Sequence, residues 1–233
     1  MGMGQLWLPV TKHSPNKHKQ KLLNHPTWIF DLDDTLHDAK PHIFPHLHTA
    51  MAEYIQKELN LSEEDAHAMR HRFWQAYGAT LKGLIKHHGT DPEHFLRITH
   101  QFDSLEKMLV FDKALPYILK KLPGKKIIFS NAPAHYIKQI LTLMGIAHLF
   151  DDIYAIEHTR YRPKPDKAGY LRLLHEHRLD PRKCIMVEDS LANLRTAKKL
   201  GMKTVWISNS RKLRLAADYR IATANQLRKF CAR

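Results

Sequence analysis

The sequence has few cysteines, no long apolar run and no low-complexity tract, and each absence excludes a class of protein. Its two cysteines, Cys184 and Cys231, allow one disulfide at most and lie outside any Cys-x-x-Cys unit, so we expect reduced structural thiols. No stretch reaches the ~18 consecutive apolar residues of a membrane-spanning helix. The N-terminal residues also lack the apolar core of a signal peptide. With 233 residues and 43% hydrophobic residues, the chain is predicted to be a soluble, globular, cytoplasmic protein.

Lysine and arginine outnumber aspartate and glutamate, and the formal net charge is +14. The excess lies at the two ends, because residues 1–30 contain no acidic residue and residues 190–233 contain only Asp218. A basic surface speeds association with anionic ligands and favours loose binding to nucleic acid. We interpret the excess as solvated surface and keep nucleic-acid binding as an alternative. The pair His67 and His71 has the spacing of helical metal ligands but no defined third ligand, so we assign it to the surface.

Short apolar runs typical of buried strands alternate along the chain with amphipathic helical patterns. Four runs are clear, at residues 27–30, 126–129, 184–187 and 204–207, and a fifth at residues 153–156 is weaker. The helical patterns cover about 133–144, 166–178 and 190–200. This alternation predicts an α/β fold in which helices cover both faces of a doubly wound parallel sheet.

One long segment breaks the alternation because it contains helical patterns only. Within it, Ser62 precedes three acidic residues, which is typical of the N-terminus of a helix. We interpret the segment as an all-helical cap domain inserted into the α/β core. The predicted units are a flexible basic segment over 1–25, a core over 26–39 and 113–233, and a cap over 40–112.

Polar residues follow the predicted strands at their carboxyl ends, where open α/β sheets bind ligands. Lys164 lies in a predicted loop, between two prolines. Ligands that offer only oxygen select a hard cation such as Mg²⁺. A cation, a lysine and a hydroxyl together form a cradle for a phosphoryl group, and an aspartate can attack such a group while a second one shuttles the proton. The residues concerned are Asp31, Asp33, Ser130, Asn131, Lys164, Glu188 and Asp189.

Four ordered motifs resemble the haloacid dehalogenase-like superfamily of phosphotransferases over about residues 27–210. They are Asp31-x-Asp33-x-Thr35, Ser130-Asn131, Lys164 and Glu188-Asp189-x3-Asn193. The resemblance implies a Rossmann-like core with a helical cap and a phosphatase that forms an aspartyl-phosphate. In this superfamily a second aspartate two residues after the nucleophile separates phosphatases from true dehalogenases, so Asp33 implies phosphatase chemistry.

The resemblance also implies a role for each residue of the motifs. Asp31 is the implied nucleophile, Asp33 the general acid and base, and Thr35 a support of the motif loop. The phosphoryl group is implied to lie against Ser130, the Asn131 backbone and Lys164. The Mg²⁺ ligands are implied to be Asp31, the backbone carbonyl of Asp33 and Asp189, with Glu188 nearby and Asn193 as an outer support.

The cap adds a narrower resemblance to bacterial pyrimidine 5′-nucleotidases, through Tyr77-Gly78-x-Thr80-Leu81-x-Gly83-Leu84 and His87-His88-Gly89. It implies a nucleoside 5′-monophosphate as the small phosphorylated substrate and Tyr77, Lys82 and His87 as substrate contacts. Because Tyr77 lies at helical spacing from Phe73 and Trp74, we expect these three aromatic residues in the cap core rather than in contact with a base. A phosphoglycolate-type or other small-metabolite phosphatase, a sugar-phosphate mutase and a basic nucleic-acid-binding protein with an inert site stay open as alternatives, as do a monomer and a homodimer.

Overall fold

Six parallel strands form one sheet in the computed structural model, which describes residues 25–210 and 214–231. The strands are β1 (Thr27–Phe30), β2 (Lys126–Phe129), β3 (Asp152–Tyr154), β4 (Cys184–Glu188), β5 (Lys203–Ile207) and β6 (Tyr219–Ile221). Their order across the sheet is β3-β2-β1-β4-β5-β6. The predicted parallel α/β sheet is confirmed, and β6 is an additional edge strand that the apolar runs did not indicate.

Nine α-helices lie in the described part of the chain, with short 3-10 helices at Ala147–Leu149, Pro181–Lys183 and Ala224–Phe230. The helices are α1 (Ile43–Leu59), α2 (Glu63–Tyr77), α3 (Thr80–His88), α4 (Pro92–Thr99), α5 (Leu105–Met108), α6 (Leu115–Lys121), α7 (Ala134–Leu143), α8 (Lys167–Glu176) and α9 (Leu191–Lys199). The three helical patterns predicted between the strands correspond to α7, α8 and α9, each slightly shorter than expected.

Alternate side chains of the strands point to two separate hydrophobic cores. Trp28 and Phe30 of β1 belong to the core that α6 and α7 cover, whereas Ile29 between them belongs to the core that α8 and α9 cover. The same alternation places Ile185 and Val187 of β4 on the first face. A sheet that is buried on both faces needs apolar residues at every position, which explains the uninterrupted apolar runs.

The strand order reverses direction at β1, and this brings the carboxyl ends of three strands together. From β1 the sheet continues through β2 on one side and through β4 on the other. The register aligns Phe30 with Ile128 of β2 and with Val187 of β4. The backbone N–H of Asp31 still donates to the Val187 carbonyl, at 3.0 Å. The residues that follow these strands therefore lie at the switch point where such sheets bind ligands.

Helices α1 to α4 pack around a third hydrophobic cluster of their own, which includes Tyr54, Phe73 and Phe95. As expected, Ser62 caps α2: its hydroxyl accepts from the backbone N–H of Asp65 at 3.1 Å. Gly83 lets α3 approach α2 closely, because a Cβ at this position would lie 2.3 Å from the Phe73 ring. The first turns of α1 instead pack into the hydrophobic core that α6 and α7 cover. The limits predicted for the cap and the core therefore stay a prediction.

Cys184 and Cys231 are both free thiols. None of the described helices is long and apolar enough to cross a membrane. The basic segment predicted over 1–25 lies, except for His25, outside the described residues.

Candidate active site

A cavity of about 940 Å³ opens between the carboxyl edge of the sheet and the cap helices. Its floor consists of the loops that follow β1, β2, β3 and β4, and its opposite wall consists of α1, α2, α3 and α4. Most of the residues predicted from the sequence line it together: Asp31, Asp33, Ser130, Asn131, Lys164, Asp189, Asn193 and, from the cap, Lys82.

Lys164 is the centre of the polar contacts on the cavity floor. Its ammonium group donates to Asp31 Oδ1 at 2.8 Å, to the Phe129 carbonyl at 2.8 Å and to Glu188 Oε1 at 2.9 Å. All three N–H donors are therefore used, and the side chain is 1% exposed. Although burial lowers the pKa of Lys164, the carboxylates of Asp31 and Glu188 raise it above the usual value, so the ammonium stays charged.

The amide side chain of Asn131 fixes the backbone of the loop that contains Lys164. Its Oδ1 accepts from the Lys164 backbone N–H at 2.7 Å, and its Nδ2 donates to the Lys164 carbonyl at 3.1 Å. The Asn131 side chain is thus used for positioning, which leaves its backbone as the part available to a ligand.

Glu188 is fully buried, and both of its oxygens are occupied by hydrogen bonds. Oε1 accepts from Lys164 and from the Asn193 amide, and Oε2 accepts from the backbone N–H of Ser190 at 2.6 Å. This carboxylate therefore orients the ammonium and the start of α9, and it has less capacity left for a metal ion than its neighbours.

Three carboxylates nevertheless form one compact cluster, because oxygens of Asp31, Glu188 and Asp189 lie within 4.8 Å of one another. Burial and the charge of Glu188 raise the pKa of Asp31 well above its usual value and that of Asp189 to about 8. One lysine does not balance three carboxylates. This all-oxygen donor set with excess negative charge fits a hard divalent cation.

Asp33 has two partners that the sequence did not indicate. The Tyr136 hydroxyl donates to its Oδ1 at 2.7 Å, and His37 Nε2 lies 3.0 Å from the same oxygen. Burial raises the pKa of Asp33, but the contacts with His37 and Tyr136 outweigh it, so the net pKa is below the usual value. Both contacts involve Oδ1, so neither of them occupies Oδ2.

Ser130 and Thr35 are both buried, but only Ser130 lines the cavity. The Ser130 oxygen accepts from the backbone N–H of Ala132 at 3.0 Å, so its O–H is available to a ligand. Thr35 donates its backbone N–H to the Leu32 carbonyl at 3.2 Å, which closes the turn after β1. Its hydroxyl is buried without a partner among the described residues.

Of the three cap residues predicted to contact the substrate, Lys82 alone lines the cavity. The structure does not place Tyr77 or His87 on the cavity wall; they contact each other at 2.6 Å between the hydroxyl and Nε2. Trp74 is not a core residue, because it is 55% exposed and lines the cavity, whereas Phe73 is buried as expected. Arg70 also lines the cavity. Helical spacing alone identified the apolar face of α2 but not the face toward the cavity.

The fold and the site together define an α/β protein with an acidic site at the carboxyl edge of its parallel sheet. Residues 28–207 match the family of haloacid dehalogenase-like hydrolases, and the chain belongs to this family. The resemblance drawn from the ordered motifs is thereby confirmed.

Individual relatives are distant in sequence. Phosphate metabolism protein 8 of Saccharomyces cerevisiae is 24% identical over 218 residues, which cover 87% of this chain and 65% of the yeast protein. A phosphoglycolate phosphatase of Aquifex aeolicus is 27% identical over 182 residues, which cover 76% of this chain and 81% of that protein. The crystal structure of a HAD phosphatase from Thermococcus onnurineus matches with a TM-score of 0.58 at 24% identity, over 88% of this chain and 96% of that one. At this identity the structural match establishes the fold.

Replacing Lys164 tests its part in stability. Lys164→Met leaves Asp31 and Glu188 buried without a counter-charge, so we expect a loss of about 3–5 kcal/mol in the free energy of unfolding. Lys82→Met is the matched control, because Lys82 contacts Asp166 at 3.6 Å in a partly exposed pair, and we expect it to cost less than about 1 kcal/mol. Chemical denaturation in a chelating buffer at neutral pH measures both. Equal losses would contradict the central position of Lys164.

Proposed function

We propose that the protein is a Mg²⁺-dependent phosphomonoester hydrolase that acts through an aspartyl-phosphate on Asp31. The observation that carries this proposal is the position of the Asp31 carboxylate, with one oxygen bonded to the buried Lys164 and with Asp189 close enough to share a cation. Family membership supports it, and relatives described as phosphatases support hydrolysis of a phosphate ester.

In the first half of the reaction, Asp31 Oδ2 attacks phosphorus. A bond forms between this oxygen and phosphorus while the bond from phosphorus to the leaving oxygen breaks. Asp33 donates its proton from Oδ2 to the leaving alkoxide and becomes a carboxylate, which the contacts with Tyr136 and His37 stabilise.

In the second half, water attacks the same phosphorus and releases Asp31 as a carboxylate. Asp33, now ionised, takes the proton from that water, so its protonation state is restored after each cycle. Asp31, Asp189 and the backbone carbonyl of Asp33 would hold the divalent cation, which would supply positive charge for the phosphoryl oxygens. Lys164 adds positive charge, and the Ser130 hydroxyl and the Asn131 backbone orient the phosphoryl group.

The substrate is a small phosphorylated molecule that fits between the sheet edge and the cap. The name of the Aquifex aeolicus relative favours a small phosphorylated metabolite. A nucleoside 5′-monophosphate is the second candidate, because the exposed indole of Trp74 on the cavity wall offers a surface for a base. Measuring phosphate release across sugar phosphates, phosphorylated acids and nucleotides separates them, and isomer formation would identify a mutase instead.

Asp31→Asn tests the proposed nucleophile. The amide has nearly the same volume but does not form an acyl phosphate, so we expect kcat to fall by at least about a thousandfold while the fold is retained. Phosphate release and circular dichroism measure the two effects. Asp152→Asn, an exposed carboxylate on β3, is the matched control and should keep full activity. Substantial turnover by the Asp31→Asn variant would refute the covalent step.

Removal of the divalent cation tests the proposed metal site. We expect EDTA to abolish activity and Mg²⁺ to restore it. Independently of activity, Mg²⁺ should raise the melting temperature of the wild-type protein, because a ligand that binds only the folded state stabilises it. The Asp189→Asn variant should lose most of this shift. An identical shift in that variant would place the cation elsewhere.

Tyr136→Phe tests whether Tyr136 positions Asp33. A lost hydrogen bond to a charged group corresponds to roughly a ten- to hundredfold fall in kcat, which we expect for alkyl phosphates with little change in KM. For p-nitrophenyl phosphate, whose leaving group needs no proton, we expect a much smaller effect. Tyr154→Phe, a buried tyrosine on β3 that does not line the cavity, is the control. Equal losses with both substrates would indicate a merely structural role.

A further inference from the structure

The cap wall of the cavity contains a cation for which no described residue provides a counter-charge. Arg70 of α2 lines the cavity, and its Nε is buried without a hydrogen-bond partner. The structure gives its guanidinium no ion pair with another described residue. The undescribed residues 1–24, 211–213 and 232–233 contain no aspartate or glutamate, so they add no side-chain carboxylate that pairs with it.

Arg70 differs in this respect from the other lysine and arginine side chains on the cavity wall. Lys164 is paired with Asp31 and Glu188, and Lys82 contacts Asp166 at 3.6 Å. A guanidinium that is partly removed from water and has unused donors favours an anionic partner, because charge-assisted hydrogen bonds offset the lost hydration. The cavity itself is the place from which such a partner can reach it.

None of the described cap residues that line the cavity is acidic, in contrast to the floor. His48 of α1 also lines the cavity. Its pKa is lowered by burial and then by the charge of Arg70, with smaller contributions from His67 and His71. Trp74 lies one helical turn after Arg70 and faces the same cavity. The cap wall thus combines an unpaired cation with an apolar surface.

We propose that Arg70 binds a second anionic group on the leaving-group part of the substrate, either a carboxylate or a second phosphoryl group. This inference rests on the proposed function, because the reacting phosphoryl group is taken to lie on the cavity floor. It narrows the substrate to a phosphomonoester with two anionic ends, whose carbon skeleton lies against Trp74. A plain nucleoside 5′-monophosphate does not have the second anion.

Three matched series of compounds test the proposal with the full-length protein and Mg²⁺. The first contains ω-carboxyalkyl phosphates of increasing length, the second contains hydroxyalkyl phosphates of the same lengths, and the third contains α,ω-alkanediol bisphosphates. At the best length we expect kcat/KM to exceed that of the hydroxyl compound by about tenfold or more, the size of one charge-assisted hydrogen bond. Whether the first or the third series is preferred identifies the anion as carboxylate or phosphoryl.

Variants assign the preference to Arg70. In Arg70→Gln we expect the ratio of kcat/KM between the anionic and hydroxyl compounds to fall to about one, and in Arg70→Lys we expect part of it to return. Arg72→Gln is the control on the same helix, because Arg72 is exposed, packs over the Phe73 ring at 5.6 Å and does not line the cavity. It should keep the wild-type ratio.

The proposal is overturned if the wild-type protein shows no preference for a second anion at any length. It is also overturned if the preference persists in Arg70→Gln. A third contradicting result would be faster hydrolysis of nucleoside 5′-monophosphates than of every compound that carries a second anionic group. Should Arg70→Gln fail to fold, the wild-type series and Arg70→Lys decide. No hydrolysis of any phosphomonoester would instead refute the proposed function, so the two failures are distinguishable.

Discussion

The buried ammonium group of Lys164 is the interaction on which the rest of the site depends. Its three acceptors follow or belong to three different strands: Asp31 after β1, Phe129 in β2 and Glu188 in β4. A charged group at this depth is tolerated only when all its donors are satisfied, so its presence fixes the relative positions of the strand ends. The same contacts place a positive charge between the Asp31 and Glu188 carboxylates, which compensates their mutual repulsion.

The cavity divides into an acidic floor and a positive cap wall. Floor residues come from the strand ends and serve the chemistry that we propose. Arg70, His48 and Trp74 come from helices of the cap, and we propose that they face the part of the substrate that leaves. None of the contacts of the Lys164 ammonium involves these cap residues.

The sequence allowed the sheet and most of the floor to be predicted, because buried parallel strands leave uninterrupted apolar runs and their carboxyl ends share one edge. β6 was not predicted, because it is short and the charged Arg220 interrupts its apolar residues. Tyr136 was not found as a partner of Asp33, because 103 residues separate them and only the tertiary fold brings them together. On α2, Phe73 and Trp74 are adjacent and lie one helical turn before Tyr77, and this pattern did not reveal that Phe73 is buried while Trp74 lines the cavity.

The most direct measurement of the central claim is the site of phosphorylation during turnover. In an Asp33→Asn variant supplied with p-nitrophenyl phosphate and Mg²⁺, the first half of the reaction needs no proton donor, but the second half lacks its base. The phosphorylated enzyme should therefore accumulate. After acid quenching and peptide mapping by mass spectrometry, our account predicts one phosphoryl group on Asp31. A phosphoryl group on any other residue, or turnover of this variant without any phosphorylated enzyme, would contradict it.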